Sequence, residues 1–407
     1  MVNQRRKTRL GILGGGQLAR MIAQAALRDG LQPVVLAGSR DEPAAIDGVW
    51  WVDGSCNDRE ALDQLFSRTD IVTIENEFID VPLMREVLRA HPCVTLAPGL
   101  ESIVVSQDKL AQKKLFARLG LAAPAYDTVD TTALSHELPR LRRRFPEGFV
   151  LKFARFGYDG RGNLPVQPGA PTDEADIARF CRAAEVAGSA VYAEQLIDFN
   201  AELAMVATRT GEGRHQCFPL VESVQEHGIC REVAGPAVRL GTAPRLAWQA
   251  SEAITRIADT LAFRGTLAVE FFLTRDGQLL INEMAPRVHN SGHYTLYRDE
   301  PSQFDLHVRA VTGARLQVPA IDGLAAMRNI LGPQGIVPGL PCPAPSLAPP
   351  AGVELHWYGK RTVSAGRKMG HLTGRASTAA ELKQLLAAMR TYEQRLWAAF
   401  ANMQQAG

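Results

Sequence analysis

Lys152 lies at the end of a short apolar run, Phe149 to Phe153, and the glycine-rich stretch Gly157-Tyr158-Asp159-Gly160-Arg161-Gly162-Asn163 follows shortly after it. A strand-end ammonium beside a loop of exposed backbone N–H groups and a second cation is suited to polyphosphate. The lysine neutralises charge while the loop closes and excludes water. A plain surface hairpin explains the glycines but not the lysine. Farther on, Glu270 sits in Leu267-Ala-Val-Glu-Phe-Phe-Leu273, and Glu283 in Leu279-Leu-Ile-Asn-Glu-Met284. Solvated hairpin acids do not need such apolar neighbours, and carboxylates so placed need a partner. With Asn282 they offer three oxygen donors, the ligand type magnesium takes while keeping phosphate oxygens in its shell.

Immediately downstream, Pro286-Arg-Val-His-Asn-Ser-Gly-His293 gathers a fixed cation, two imidazoles and amide donors in one short segment. The guanidinium fork of Arg287 suits a carboxylate or phosphate, and His289 and His293 can bind substrate, move protons or serve as structural hydrogen-bonding groups. Near the start, Gly14-x-Gly16-x-x-Ala19 follows a strand and opens a helix, which allows close backbone approach and suits an anion. The same glycines also serve tight strand–helix packing. No acid ends the second strand, where Ala37-Gly-Ser-Arg40 stands, so a dinucleotide site has at best a 2′-phosphate partner there.

The elements that must position these groups follow from periodicity. Arg9 to Leu13 reads as a strand, Gln17 to Asp29 as a helix closed by Gly30, and Pro33 to Leu36 as a second strand. Ile71 to Ile74 is a third strand and Val81 to Ala90 a helix. This alternation predicts a parallel sheet with right-handed crossovers, ending near Pro98. A helix is expected over Gln107 to Gly120, an extended connector over Ala122 to Tyr126, and strands at Val191 to Ile197 and Glu202 to Thr208. Arg256 to Ala262 is read as helical, and Leu267 to Leu273 and Leu279 to Glu283 as a hairpin about Arg275-Asp-Gly277. A proline-rich surface connector, Pro338 to Pro350, leads to a small module with a helix over Ala380 to Phe400. The expected domains are residues 1–103, 104–325 with a lid over 124–196, and 326–407.

At 407 residues the chain is long enough for two or three domains. A net charge of +2 gives no electrostatic reason for nucleic-acid binding, and the partner is expected to be small. The Arg5-Arg6-Lys7 cluster directly precedes a strand and reads as solvation of the terminus. Six cysteines without C-x-x-C spacing disfavour a zinc site and a disulfide framework and point to a reducing compartment. No apolar run is long enough to span a bilayer and no signal-peptide pattern opens the chain, so a soluble, cytoplasmic protein with no membrane partner is expected.

With these residues read, the chain resembles the ATP-grasp family of 5-(carboxyamino)imidazole ribonucleotide synthases of purine biosynthesis over nearly its whole length. The resemblance is carried by Ile12-Leu-Gly-Gly-Gly-Gln-Leu18, Gln107-Asp-Lys109, Gly157 to Gly162, Leu267 to Phe272, Asn282 to His293, Ser302-Gln-Phe304, Tyr358-Gly-Lys360 and Gly366-Arg-Lys-Met-Gly-His371. It implies an α/β chain: an ATP-grasp fold with an N-terminal Rossmann-like parallel sheet and a small, β-rich C-terminal module. It implies ATP- and Mg2+-dependent activation of bicarbonate as carboxyphosphate and carboxylation of 5-aminoimidazole ribonucleotide, by a homodimer.

The resemblance also implies roles. Lys109 and Lys152 would contact nucleotide phosphates or adenine, and Gly157, Tyr158, Asp159, Gly160, Arg161, Gly162 and Asn163 would close over the phosphates. Glu194, Gln195, Leu196 and Ile197 would line the adenine pocket, Glu202 would hold the ribose, and Glu270 and Glu283, beside Asn282, would bind metal. Arg287 would stabilise carboxyphosphate, with Tyr158, Asp159, Arg161, His289 and Asn290 around the aminoimidazole. Lys360 and Arg367 would clamp the ribonucleotide phosphate, and Gly16, Gln17 and either Glu75 or Glu77 would hold substrate from the first domain. The chain departs from the family pattern in the longer Thr73 to Pro82 segment, in Phe156 where glycine is common, and in Gln225 where histidine is common, with His227 nearby. A formyltransferase acting on glycinamide ribonucleotide shares the clamp and the metal acids but not the Tyr358 to His371 combination. An NADP oxidoreductase leaves Lys152, Glu270 and Glu283 unexplained, and a non-catalytic regulator leaves Arg287 without a reason.

Overall fold

The computed structural model describes residues 7–157, 162–169, 173–226, 228–237, 243–298, 300–317 and 321–406. The chain begins with β1 (Arg9–Leu13), α1 (Gln17–Arg28), β2 (Gln32–Ala37), β3 (Trp50–Asp53), α2 (Arg59–Ser67), β4 (Ile71–Ile74), α3 (Val81–Ala90) and β5 (Thr95–Leu96). These strands form one parallel sheet in the order β3-β2-β1-β4-β5. Leu10, Ile12, Val34, Val35 and Val72 are fully buried, as strands covered by helices on both faces require. Gly30 takes φ 75° just after α1, a left-handed stop for which glycine carries no steric penalty.

Two helices follow, α4 (Leu100–Ser106) and α5 (Lys109–Arg118). The expected single helix over Gln107 to Gly120 is therefore shorter, because Asp108 is an N-cap whose carboxylate accepts from the N–H groups of Leu110 and Ala111. Next come β6 (Tyr126–Thr128), α6 (Leu134–Arg144), β7 (Phe149–Phe153), β8 (Asn163–Val166), α7 (Glu174–Val186) and β9 (Val191–Gln195). Their strands form a separate antiparallel sheet, β6-β9-β7-β8.

The largest sheet is built from β10 (Phe199–Arg209), β11 (His215–Cys217), β12 (Val221–Glu226) and β13 (Ile229–Gly235), then, after α8 (Ala243–Thr260), β14 (Gly265–Thr274) and β15 (Leu279–Ala285). A short 3-10 helix (Asn290–Thr295) and α9 (Gln303–Thr312) lead to β16 (Leu324–Leu331), β17 (Leu340–Pro341), β18 (Val353–Trp357), β19 (Thr362–Val363), β20 (Lys368–Ala376) and α10 (Ala379–Ala406). The order β15-β14-β10-β12-β13-β16-β20-β18, with β11 on β10, makes nine strands. Strands β16, β20 and β18 thus extend this same sheet through the antiparallel β13–β16 pair, while β17 and β19 pair with each other in a small sheet of their own. The expected boundary between residues 325 and 326 falls inside β16.

Helix α8 starts well before the expected Arg256, its Leu246, Ala250, Ile254 and Ile257 forming a buried stripe against β10 and β14. Helix α9 joins the first sheet to the largest. Phe304, Val308 and Val311 pack in the core of α1, and Arg309 and Arg28 bridge Asp29 and Asp305 at 3.0 and 2.7 Å. At the far side α10 is held by ion pairs around two buried carboxylates: Glu393 meets Arg231 and Arg328, and Glu232 meets Arg328 and Arg390.

Candidate active site

Between the parallel sheet, the β6-β9-β7-β8 sheet and the nine-stranded sheet lies a cleft of about 790 Å³. The hairpin β14–β15 supplies its acids. Glu270 stands opposite Glu283 in the ladder, but Phe271 stands opposite Ile281, so Asn282 is the extra residue of a bulge. Successive side chains of a regular strand point to opposite faces. The bulge re-aims one of them, and both Asn282 and Glu283 line the cleft. Burial, with the charges of Glu283 and Glu202, pushes the Glu270 carboxyl up to about 8. Burial alone would raise Glu283 too, yet the Lys109 ammonium at 2.6 Å holds it down to about 2. One side of the carboxylate pair is already neutralised, and the other carries the repulsion.

Lys109 is set at the start of α5, where its N–H donates to Ala154 O at 2.8 Å. Lys152 comes from β7 and meets Glu194 of β9 and Asn282 Oδ1, the latter at 3.4 Å. Glu194, Gln195, Leu196 and Ile197 line the cleft, but the Glu194 carboxylate is buried and engaged by lysines. Glu202 also lines it, and burial lifts its carboxyl to about 7 against the pull of Lys152. Phe199 and Phe272, which the sequence reading passed over, stack at 4.9 Å on the same wall.

The first domain closes one end. Gly16 N–H donates to Glu75 Oε2 at 2.6 Å, so the anion at the opening of α1 is the protein's own carboxylate. A Cβ on Gly14, where φ is 109°, would lie 2.5 Å from the same oxygen, which explains the glycine. Burial raises Glu75 to about 6. Glu77 is committed to Arg287: Nε donates to Oε2 at 2.6 Å and Nη2 to Oε1 at 3.4 Å. Gln107 fixes that acid's segment by donating to Glu77 O and Ile79 O at 2.6 and 2.7 Å, and accepts from Arg155 at 2.8 Å. Gln17, Glu75, Glu77 and Arg287 all line the cleft.

His289 lines it as well, with Nδ1 on Ser291 Oγ at 2.9 Å and Nε2 3.8 Å from Glu270. The Asn290 amide is paired reciprocally with Asn329, at 3.1 and 2.6 Å. Phe156, at φ 63°, lines the cleft with Gly157 and Asn163 and faces the Phe78 ring at 5.7 Å, so two departures from the family pattern meet. Gly162 adjoins Phe153. Tyr158, Asp159, Gly160, Arg161 and His227 lie outside the described residues. Gln225 lines the cleft and donates to Ser223 Oγ at 2.9 Å.

The expected phosphate cations separate. Lys360 lies over the Tyr358 ring at 5.8 Å, and Arg367 donates to Thr362 O and Oγ1 at 2.7 and 2.9 Å; neither lines the cleft. The cation of that segment which does line it is Lys368, the first residue of β20. Behind it, Tyr358 shares a 2.8 Å hydrogen bond with His371, which lies between His356 and His293 at ring distances of 4.5 and 4.7 Å. Burial keeps all three imidazoles below the ordinary histidine range.

An antiparallel sheet bearing Lys152 that faces a larger sheet bearing the paired acids, with Lys109 of α5 set against one of those acids, defines an ATP-grasp enzyme, a class of ATP-dependent ligases. The ATP-grasp domain model matches residues 114–304, the ribonucleotide synthetase preATP-grasp domain residues 7–107, and the phosphoribosylaminoimidazole carboxylase C-terminal domain residues 325–385. N5-carboxyaminoimidazole ribonucleotide synthase of Synechocystis sp. is 34% identical over 375 residues, covering 90% of this chain and 91% of that protein. The crystal structure of N5-carboxyaminoimidazole ribonucleotide synthetase from Thermus thermophilus superposes with a TM-score of 0.79 at 33% identity, over 95% of this chain and 98% of that one. That of the Aspergillus clavatus synthase, in complex with ADP and 5-aminoimidazole ribonucleotide, gives 0.80 at 27% identity, over 95% and 99%. The chain belongs to the N5-carboxyaminoimidazole ribonucleotide synthase family.

Proposed function

We propose that this chain uses ATP and bicarbonate to carboxylate the exocyclic amine of 5-aminoimidazole ribonucleotide. Family membership supplies the substrate. The observation that carries the chemistry is one cleft in which Lys109 and Lys152, the Glu270–Glu283 pair and the Arg287 fork face one another. A bicarbonate oxygen attacks the γ-phosphorus, ADP leaves, and carboxyphosphate forms. The amine nitrogen then bonds to the carboxy carbon as the bond to phosphate breaks and the amine gives up a proton.

Lys109 and Lys152 meet the nucleotide, Glu202 its ribose, and residues 194–197 its base. Arg287, oriented by Glu77, holds carboxyphosphate. The pairing of Glu77 with Arg287 favours Glu75, with Gly16 and Gln17, as the acid that meets the ribonucleotide. Tyr158, Asp159, Arg161, His289 and Asn290 surround the aminoimidazole, and His289 Nε2 can hold a proton there. Lys360 and Arg367, reoriented from their present partners, meet the phosphate, with Lys368 nearest the cleft. The donor set fits magnesium: two carboxylates in register and an amide oxygen brought to their side by the bulge. Magnesium, when held by Glu270 and Glu283, neutralises phosphate charge and polarises the transferred group. The reading extends to a cytoplasmic homodimer, the latter checked by sedimentation.

The test is ADP release at fixed ATP, magnesium and bicarbonate, with and without 5-aminoimidazole ribonucleotide. Release that requires the ribonucleotide, and that falls by orders of magnitude in Glu283→Gln, is expected. Release that responds instead to glycinamide ribonucleotide and formate overturns the substrate assignment and leaves the ATP-grasp chemistry standing.

A further inference from the structure

Lys113 has no place in the roles above. It lies one turn after Lys109 on α5, on the same helix face, and is only 2% exposed. A lysine so buried needs partners. Its ammonium is 2.5 Å from Glu194 Oε2 and donates to the backbone oxygen of Asn282 at 3.3 Å. The other oxygen of Glu194, Oε1, takes Lys152, which also reaches the side chain of Asn282. One carboxylate thus carries two ammonium groups, and both lean on the bulged residue of β15. Three elements meet there: helix α5, the lid strands β7 and β9, and the metal-acid hairpin.

The charge count gives the arrangement its meaning. Lys152 with Glu194 alone is a neutral pair, and it presents no net charge to a polyphosphate. Adding Lys113 makes the group singly positive, and Lys113 itself is too buried to touch a ligand. Its charge therefore acts through Glu194 on Lys152. Burial lowers the pKa of Lys113 while Glu194 opposes that fall, and the two lysines hold Glu194 below the usual carboxylate range against its own burial.

We propose that Lys113 is a positioning residue for ATP: by occupying one oxygen of Glu194 it keeps the Lys152 ammonium directed into the cleft with net positive charge. The inference rests on the reading that Lys152 meets the nucleotide. Lys113→Met in the full chain, similar in length but uncharged, is expected to raise the KM for ATP by about ten- to thirtyfold, the range of a lost charge-assisted hydrogen bond. The kcat at saturating ATP and the KM for 5-aminoimidazole ribonucleotide should change far less, and Lys113→Arg should recover most of the ATP affinity. A merely structural lysine would lower the melting temperature and the active fraction without moving the KM for ATP.

A double-mutant cycle with Glu194→Gln sharpens the test. Once Glu194 has lost its charge, the carboxylate that bridges the two ammonium groups is gone, so Lys113→Met should add much less than it does alone. Additive effects, or an unmoved KM for ATP in Lys113→Met, overturn the proposal. Lys152→Met run alongside separates the two readings. If it leaves the KM for ATP unchanged, the assignment of the cleft itself fails; if it raises that KM and Lys113→Met does not, only the present inference falls. Should Lys113→Met fail to fold, Lys113→Gln and Lys113→Arg carry the same comparison, with the loss expected in the first and not in the second.

Discussion

Replacing Glu202 by glutamine should make the protein more stable and worse at binding ATP, and the two effects should diverge with pH. Glu202 lies on β10 among groups that lift its carboxyl from the ordinary 4.5 to about 7, chiefly through burial. Below pH 4.5 the acid is protonated in both the folded and unfolded chain, and it costs nothing. Between 4.5 and about 7 the unfolded chain releases the proton and the folded one keeps it, so stability falls as pH rises; above about 7 the full cost persists. At about 1.36 kcal/mol per pH unit the ceiling is ~3.4 kcal/mol, and partial access to solvent in the cleft reduces it to on the order of 2 kcal/mol. Glu202→Gln removes that ionisation. Thermal unfolding should therefore give nearly equal midpoints for the two proteins at pH 4.5 and a midpoint higher by ~2–4 °C for the variant at pH 8. The KM for ATP at pH 8 should rise in the same variant, since an amide accepts ribose hydroxyls less strongly than a carboxylate does. Equal stabilisation at both pH values, or destabilisation at pH 8, would refute the reasoning.

Glu77→Gln leaves Arg287 an amide where it had a carboxylate, exchanging a charge-assisted for a neutral contact, a loss of about 1–2 kcal/mol. Steady-state kinetics should show kcat reduced by roughly 5–30-fold with the KM for ATP little changed, and no additional loss when Arg287 is already alanine. At the far side of the sheet, Glu393→Ala removes one of two carboxylate partners from each of Arg231 and Arg328, which keep Glu226 and Glu232, and urea unfolding should report a loss of about 1.5–3 kcal/mol. Burial alone would raise the neighbouring Glu232, but Arg390 and Arg328 hold its carboxyl below the ordinary 4.5. Its stabilisation is therefore present above that value and lost as pH falls through the folded pKa. Circular dichroism during acid titration should show this limb weakened in Glu232→Gln.

Much of the site could be read from residue order because local rules governed it. The hairpin about Arg275 to Gly277 formed where apolar runs met a turn, and it carried Glu270 and Glu283 to adjacent strands. The glycines before α1 likewise sat where strand and helix meet. What escaped was long-range. Residue order names Asn282 as an oxygen donor beside Glu283, but not the bulge that lets both line the cleft, since single-residue insertions leave no periodic trace. Lys113 reads as an ordinary helix lysine until the lid sheet folds Glu194 onto it. Lys360 and Arg367 stand back from the cleft wall, where Lys368 of the same segment lies, and residue order alone does not say which of these cations reaches the wall. The union of the C-terminal strands with the largest sheet had no local signature, because β13 and β16 are separated by a helix, a hairpin and α9.

That union has a consequence for how the protein is made. A ribosome delivers β1 to β5 early, and their parallel sheet has its strands in hand before the rest of the chain exists. Strand β13 emerges with one edge paired to β12, and its other edge has no partner until residues 324–331 have been synthesised. Throughout that interval the nascent chain carries an open row of backbone donors and acceptors, the kind of edge that invites pairing with another molecule. Helix α10, which follows these strands in the chain, then packs over them, so the element that covers the closed edge is made after the strands that close it.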